Sequence, residues 1–333
     1  MREPRFWSRE VDPKSREAAP LLRFLLSPLA ALYAGVTRRK IKSATPTKVE
    51  AIVICVGNLT AGGVGKSPVV SALRQLIRTE YGLRTATLSR GYKGRLKGPL
   101  RVGPDTHSAA DVGDEPLMLA QGGEAWIGAD RAAAGLAMAQ SGVDVIIMDD
   151  GHQNPGLHKD LSLVVVDSKA GFGNGFVIPK GPLREHVADG LSRADAIVLM
   201  GDDTPPAVLN QTSLPILKGR IEPTEHPESG KYVAFAGIGR PEKFFDTLNA
   251  LGVEVCDAVP FPDHHAYTSA DLNYLRRLAD DHQATLITTE KDLTRLSGDQ
   301  ADGIISLPIR VQFEPKDLLD KLLADVIKRS TDG

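Results

Sequence analysis

The chain has 333 residues, enough for two domains with separate cores. A net charge of −2 and an aromatic share of 5% argue against a globally basic nucleic-acid binder built on base stacking, and the composition is ordinary for a soluble globular protein. The two cysteines, Cys55 and Cys256, fall inside apolar runs and read as buried thiols of a reducing compartment, not as a disulfide or a metal site.

Charge is unevenly spread. Residues 1–45 carry ten Lys and Arg against four Asp and Glu. Between the basic flanks, residues 18–36 are mostly apolar, yet Arg23 and Pro28 interrupt them, and the run falls short of the roughly 20 residues that span a bilayer. The pattern predicts an amphipathic helix lying in a membrane interface, with its cations on anionic headgroups. The alternative is a helix packed on the protein's own body.

Residues 52–56 read as a buried parallel strand. They lead into Gly57-Asn-Leu-Thr-Ala-Gly-Gly-Val-Gly-Lys-Ser-Pro68 and then a helical pattern through Val69, Val70, Leu73 and Ile77. Strand, glycine-rich turn, Gly-Lys-Ser and helix is the layout of a nucleotide phosphate-binding loop. Successive backbone N–H groups can turn toward one anion, and the helix N-terminus adds partial positive charge. Lys66 is placed to reach the β- and γ-phosphates and Ser67 to ligate Mg²⁺. The loop residues Asn58, Thr60, Ala61, Gly62, Gly63, Val64 and Gly65 complete the predicted ATP site. One departure stands out: the usual first glycine of the pattern is Thr60.

A second strand, 84–88, ends in Ser89-Arg90-Gly91-Tyr92, which puts Arg90 where open α/β sheets bind ligands. The basic 93–97 loop follows. Asp111-Val-Gly-Asp114-Glu115-Pro116 opens a helix, and from pattern alone its acids read as caps. The apolar run 143–148 ends in Asp149-Asp150-Gly151, the arrangement of a Walker B carboxylate beside Mg²⁺. Strands at 161–166 and 196–200, alternating with helices, imply a doubly wound parallel sheet. Gly171-Phe-Gly-Asn-Gly175 reads as a flexible loop, a candidate lid.

Residues 217–222 and 307–313 read as strands that could pair as a connector between domains. A second, smaller α/β unit is predicted from strands at 232–237, 253–256 and 285–288 and helices at 241–251 and 269–281, with a last helix over 316–327. Within it, Phe261-Pro-Asp263-His264-His265-Ala-Tyr267 leaves open a metal ligand in the adjacent histidines, a general-base partnership of His264 with its neighbour Asp263, or a loop or capping role. Thr289-Glu-Lys-Asp292 is not the guanine-reading element, so ATP is the better nucleotide. The predicted divisions are 1–45 (membrane-associated segment), 46–215 (phosphate-loop domain), 216–228 (linker) and 229–333 (smaller α/β domain).

These separated motifs together resemble the tetraacyldisaccharide 4′-kinases of lipid A synthesis, over nearly the whole chain. They include Phe6-Trp7, the phosphate loop, Ser89–Tyr92, Gly113–Pro116, Asp149–Asn154, Phe261–His264 and Thr289–Asp292. Many members have His where Asn154 stands, so a role for that His does not transfer. The resemblance implies ATP and Mg²⁺ as cofactors and transfer of the γ-phosphoryl to the 4′-hydroxyl of a tetraacyl-glucosamine disaccharide 1-phosphate. It implies a monotopic enzyme on the cytoplasmic face of the bacterial inner membrane, with no nucleic acid and no obligate protein partner. By the same resemblance Asp114 takes the sugar proton with His264 as its partner, Arg90 stabilises phosphate charge, Asp149 and Asp150 join Ser67 at Mg²⁺, and Arg90, Tyr92, Glu115 and Gln153 face the acceptor. The competing class is a membrane-associated ATPase switch acting on a protein partner, against which stands Ala61 at the place such switches keep a Lys.

Overall fold

A computed structural model describes residues 4–296 and 298–331, with side chains to residue 328. The chain opens with helices α1 (Pro20–Leu25) and α2 (Ser27–Lys42). Strand β1 (Ile52–Gly57) then leads into α3 (Lys66–Tyr81), β2 (Thr85–Ser89), β3 (Leu100–Arg101), the short α4 (Ala109–Val112) and α5 (Asp114–Gln121). Next come β4 (Ala125–Ile127), α6 (Arg131–Gln140), β5 (Val145–Asp149), β6 (Leu161–Asp167), α7 (Val187–Leu191), β7 (Ala196–Met200) and β8 (Ile216–Pro223). The second half adds β9 (Lys231–Ala236), α8 (Pro241–Ala250), β10 (Glu254–Pro260), α9 (Ser269–His282), β11 (Thr285–Thr289) and α10 (Glu290–Leu293). It closes with β12 (Ile304–Leu307), β13 (Ile309–Glu314) and α11 (Lys316–Thr331).

Among the described residues the strands form two sheets. The larger has the order β13-β8-β7-β6-β1-β5-β2-β4-β3, parallel except at its two edges, where β13 and β3 run antiparallel to their neighbours. The smaller, β10-β9-β11-β12, is parallel throughout. This is the doubly wound P-loop arrangement with a second α/β unit. Strand β1 shows why a parallel centre follows from the sequence. All six of its residues are buried, and successive side chains feed opposite faces. Ile52, Ile54 and Val56 join the core under α3, α5 and α11, whereas Val53 and Cys55 join the core under α6. Because β1 sits between β5 and β6, the loop after it lies at the crevice where the winding direction switches.

Three expectations change. Residues 18–36 do not form one helix: α2 turns away from the preceding helical stretch by 67°. Pro28 explains the break, since its ring would collide with the carbonyl of Phe24 and it has no N–H to offer there. No single helix among the described residues is long and apolar enough to cross a membrane, although the bent pair together has the length and composition. Next, 216–223 and 309–314 do pair, but as the edge of the larger sheet, with β8 running parallel to β7. The chain therefore returns to the larger sheet after β12, and Leu319, Leu323 and Val326 of α11 are buried in its core. Lastly, the 171–175 loop is a dock. Asn174 donates its backbone N–H to Trp7 O at 2.7 Å and its amide to Phe6 O at 2.7 Å, which fixes the N-terminal segment against the body.

Leu323 is fully buried in the core of the larger sheet. A Leu323→Ala substitution is expected to lower the unfolding free energy by about 2–5 kcal/mol. Urea denaturation checks this; a loss below about 0.5 kcal/mol, typical of a surface position, would detach α11 from that core.

Candidate active site

The larger sheet's strand ends and the facing edge of the smaller sheet border one cleft of roughly 1730 Å³. Residues 61–67 form one wall. Gly62 and Gly65 take left-handed backbone (φ 103° and 90°), which turns the loop and starts α3. Thr60 needs no such conformation. It pairs in an extended bridge with Leu183, and Ala61 N–H donates to Pro182 O at 2.7 Å, so an outer strap does the work that a glycine turn does elsewhere. Asn58 and Thr60 are buried behind the loop and shape it from inside: the Asn58 amide donates to Thr60 O (2.8 Å), and its Oδ1 accepts from Lys66 Nζ (3.3 Å).

The two carboxylates after β5 differ. Asp150 is in ion pairs with Arg184 Nη1 (2.8 and 2.9 Å) and with Lys66 (3.5 Å). Burial opposes its charge, but Lys66 and then Arg184 outweigh it and lower the carboxyl below its usual range. Asp149 is buried, and its Oδ1 has no hydrogen-bond partner. Burial, followed by the charge of Glu115, pushes Asp149 up to about 7. Among the described residues no three His, Cys, Asp or Glu side chains converge as a self-sufficient metal site. Asp149 and the Ser67 hydroxyl at the start of α3 offer oxygen donors of the kind a hard cation takes when phosphate oxygens complete its shell.

Across the cleft, His264 Nδ1 lies 2.7 Å from Asp114 Oδ2. Asp114 opens α5 after Gly113, whose φ of 94° turns the chain in; His264 itself has φ 58° and follows β10. The same Oδ2 accepts Arg295 Nε (2.9 Å) and Nη2 (2.6 Å). Burial works against the Asp114 charge, but the His264 hydrogen bond, with Lys291 and Arg295, holds the carboxyl well below the usual range. The adjacent His265 goes elsewhere, to Asp271 at 3.0 Å. Of the readings open for the His-His pair, the geometry gives His264 a carboxylate partner in Asp114 rather than in its neighbour Asp263, which lies 3.7 Å away, and gives His265 a loop role.

The remaining predicted residues also border the cleft. Arg90 is exposed just past β2, without an ion-pair partner among the described residues. Tyr92 stands edge-on to the His264 ring, with centroids 6.2 Å apart. Glu115 is bound by Lys291 at 3.0 Å. Gln153 spends its amide on Asn58 O (2.8 Å) and Glu185 (3.0 Å). Asn154 accepts the Gly156 N–H at 2.9 Å, a local turn.

Sequence reasoning missed several charged groups. Asp167 ends β6, fully buried, and binds Arg240 (2.6 and 2.9 Å) and Lys243 (2.6 Å) from the start of α8; Arg240 also donates to Gly63 O of the phosphate loop at 2.9 Å. Asp167 could have been found, because it closes a buried apolar run as Asp149 does. Arg184, Arg240 and Arg295 carry no pattern that marks them.

A family model described as tetraacyldisaccharide-1-P 4′-kinase matches residues 22–328. The tetraacyldisaccharide 4′-kinase of Hyphomonas neptunium is 55% identical over 330 residues, 99% of each chain. That of Maricaulis maris is 49% identical over 340 aligned positions, covering 100% of this chain and 98% of its own. A crystal structure of the Aquifex aeolicus enzyme LpxK in complex with ATP is similar at a TM-score of 0.73 and 28% identity, covering 92% of this chain and 99% of that one.

Asp167 gives a stability prediction. Burial acts against its charge, yet Arg240, the Ala170 N–H and Lys243 hold its carboxyl far below the usual range. Its contribution is therefore present above the unfolded value of about 3.9 and is lost as pH falls through the lower folded value. Asp167→Asn should lower stability by about 3 kcal/mol at pH 7, within the range for breaking a buried pair, since both cations are partly exposed. The gap from wild type should narrow below about pH 4 in urea titrations; a gap independent of pH would remove the ion pair as its cause.

Proposed function

The chain belongs to the tetraacyldisaccharide 4′-kinase family and is a lipid A biosynthesis kinase, and we propose that the cleft between its two sheets moves the γ-phosphoryl of ATP to the 4′-hydroxyl of the tetraacyl disaccharide 1-phosphate. The observation that carries this reading is that three functional parts border one space: the phosphate loop, His264 with the buried Asp114 behind it, and the Tyr33–Lys40 face of α2. Relatives bearing the kinase name along their full length do not favour the ATPase-switch alternative.

In this reading residues 61–67 wrap the β- and γ-phosphates with backbone N–H groups, and Lys66 leaves Asn58 and Asp150 to meet them. Asn58 and Thr60 support the loop rather than touch the nucleotide. Ser67 and the unpartnered Asp149 oxygen would hold Mg²⁺, while Asp150 stays with Arg184. The cation supplies charge neutralisation on the phosphates. Arg90, unpaired at the cleft, stabilises charge on the transferred group. Tyr92 and Glu115 flank the acceptor beside the dyad, and Gln153 braces the loop. Asp114 and His264 handle the hydroxyl proton.

The N-terminal helices bring the lipid to this cleft. Leu21 and Phe24 are 73% and 74% exposed, and Leu25, Leu29, Leu32 and Val36 are exposed with them. Arg38, Arg39 and Lys40 follow in the last turns of α2. An apolar surface with adjoining cations suits the interface of an anionic bilayer, here the cytoplasmic face of the inner membrane. The acyl chains stay in the lipid while the sugar enters the cleft.

Transfer from γ-labelled ATP in lipid–detergent micelles tests the reading. Label should appear on the lipid only when the tetraacyl disaccharide 1-phosphate is present. Lys66→Ala should abolish it, and a Leu21→Glu, Phe24→Glu variant should lose most transfer while keeping ATP affinity. Label released only as free phosphate, regardless of lipid, would refute the kinase mechanism and revive the switch.

A further inference from the structure

Two cations share one aromatic ring beside the N-terminal helices. The Phe176 ring has Arg23 Cζ of α1 4.7 Å from its centroid and Lys180 Nζ at 4.1 Å. The ring attracts each of them, but nothing in that contact cancels their mutual repulsion. Among the described residues neither side chain has an acidic partner, and Arg23 Nε is buried with no hydrogen-bond partner. A guanidinium has five N–H donors and accepts nothing, so what this pair lacks is an anion. The loop under the ring is held in place. Trp7 Nε1 donates to Pro179 O at 3.1 Å, the Asn174 amide donates to Lys180 O at 3.1 Å, and Asn174 Oδ1 accepts the Phe176 N–H at 3.1 Å. A fixed frame therefore presents the two cations, which lowers the ordering cost of binding.

Their position says which anion. Arg23 is half-buried, while its neighbours Leu21, Leu22, Phe24 and Leu25 are exposed. When those side chains enter a bilayer, the guanidinium stands at headgroup level. Arg23, Phe176 and Lys180 do not border the cleft between the sheets. We propose that Arg23 and Lys180, mounted on Phe176, bind one phosphate group of an anionic lipid of the surrounding bilayer, at a site separate from the one that takes the acceptor. The guanidinium offers parallel N–H groups to two phosphate oxygens, and the ammonium adds a point charge. The proposal rests on the reading of the N-terminal helices as a membrane seat.

Several other cations of the N-terminal region already have partners. Arg5 pairs with Glu17 at 2.8 Å, Arg9 donates to Ser168 O at 3.3 Å, and Arg38 lies 3.6 Å from Asp189. The site on Phe176 also ties the body, and not the helices alone, to the lipid. Lys180 stands two residues before Pro182, whose carbonyl accepts the Ala61 N–H at 2.7 Å, and Leu183 pairs with Thr60. The segment that takes the lipid phosphate is the strap that shapes the phosphate loop.

The test is binding of the full chain to vesicles of phosphatidylcholine, alone and with phosphatidylglycerol, whose phosphate charge its own headgroup does not cancel. Binding of a fluorescent ATP analogue is measured alongside to report folding. Arg23→Gln with Lys180→Gln should weaken binding to the phosphatidylglycerol vesicles about tenfold or more. Arg39→Gln with Lys42→Gln removes the same charge from the end of α2, reports attraction by charge alone, and should lose about threefold less. Phe176→Leu and Arg23→Lys keep the charge, and each should still lose about threefold or more. All variants should bind pure phosphatidylcholine vesicles as wild type does. In dodecyl maltoside micelles free of phospholipid, Arg23→Gln with Lys180→Gln should leave KM for the acceptor within about twofold of wild type. Equal losses in the two double variants, or no loss in the charge-keeping variants, would leave only diffuse attraction and overturn the site. So would an equal loss on pure phosphatidylcholine, which would make the ring contact merely structural. A KM rise as large as the loss of vesicle binding would give the two cations to the acceptor's 1-phosphate and overturn the assignment to a bilayer lipid. A wild type that binds neither kind of vesicle would overturn the membrane seat and this proposal with it.

Discussion

Two buried carboxylates of the larger α/β unit, one opening α5 and one ending β6, are neutralised from the opposite side of the cleft, and the geometry of the cleft depends on that. Asp114 takes His264 and Arg295, and Asp167 takes Arg240 and Lys243. A buried anion without its partner is strongly destabilised, so each of these pairs fixes the smaller sheet's loops over the larger sheet's strand ends. Arg240 extends the tie to the phosphate loop through Gly63 O. The phosphate-loop wall, the Asp114–His264 pair and the contact between the two α/β units are therefore one electrostatic assembly.

Much of this was legible because it rests on local or periodic signals. Buried parallel strands show as unbroken apolar runs, so β1, β5, β6 and β7 are all legible, β1 and β5 together with the chemistry-bearing residues that follow them, β6 without its closing Asp167. The phosphate loop was found despite Thr60, and the strap from residues 182–183 explains why that glycine is dispensable. The His264–Asp114 partnership came from the family resemblance, not from pattern, and the structure brings the two side chains together. What could not be read depends on long-range pairing. Arg295 meets Asp114 across 181 positions and Arg240 meets Asp167 across 73, and no spacing encodes such contacts. The return of β13 and α11 to the larger sheet is of the same kind. The break before α2 was different: Pro28 was visible, but its consequence, two helices in place of one, needed the steric argument to be carried through.

The division of labour that results is simple. The larger sheet supplies phosphate binding and the ionised oxygens. The smaller unit supplies the imidazole and the cations that keep those oxygens ionised. The bent N-terminal helices present an apolar face to the outside, while α2 also borders the cleft.

Asp114 and His264, brought from the two sides, are expected to act as one unit on the acceptor proton. A double-mutant cycle on kcat with Asp114→Asn, His264→Gln and the double variant, at saturating ATP and lipid, tests it most directly. Strong non-additivity is expected, with the double variant no slower than the slower single variant. Losses that multiply, each substitution slowing transfer by the same factor whether or not the other is present, would show that the two residues act independently.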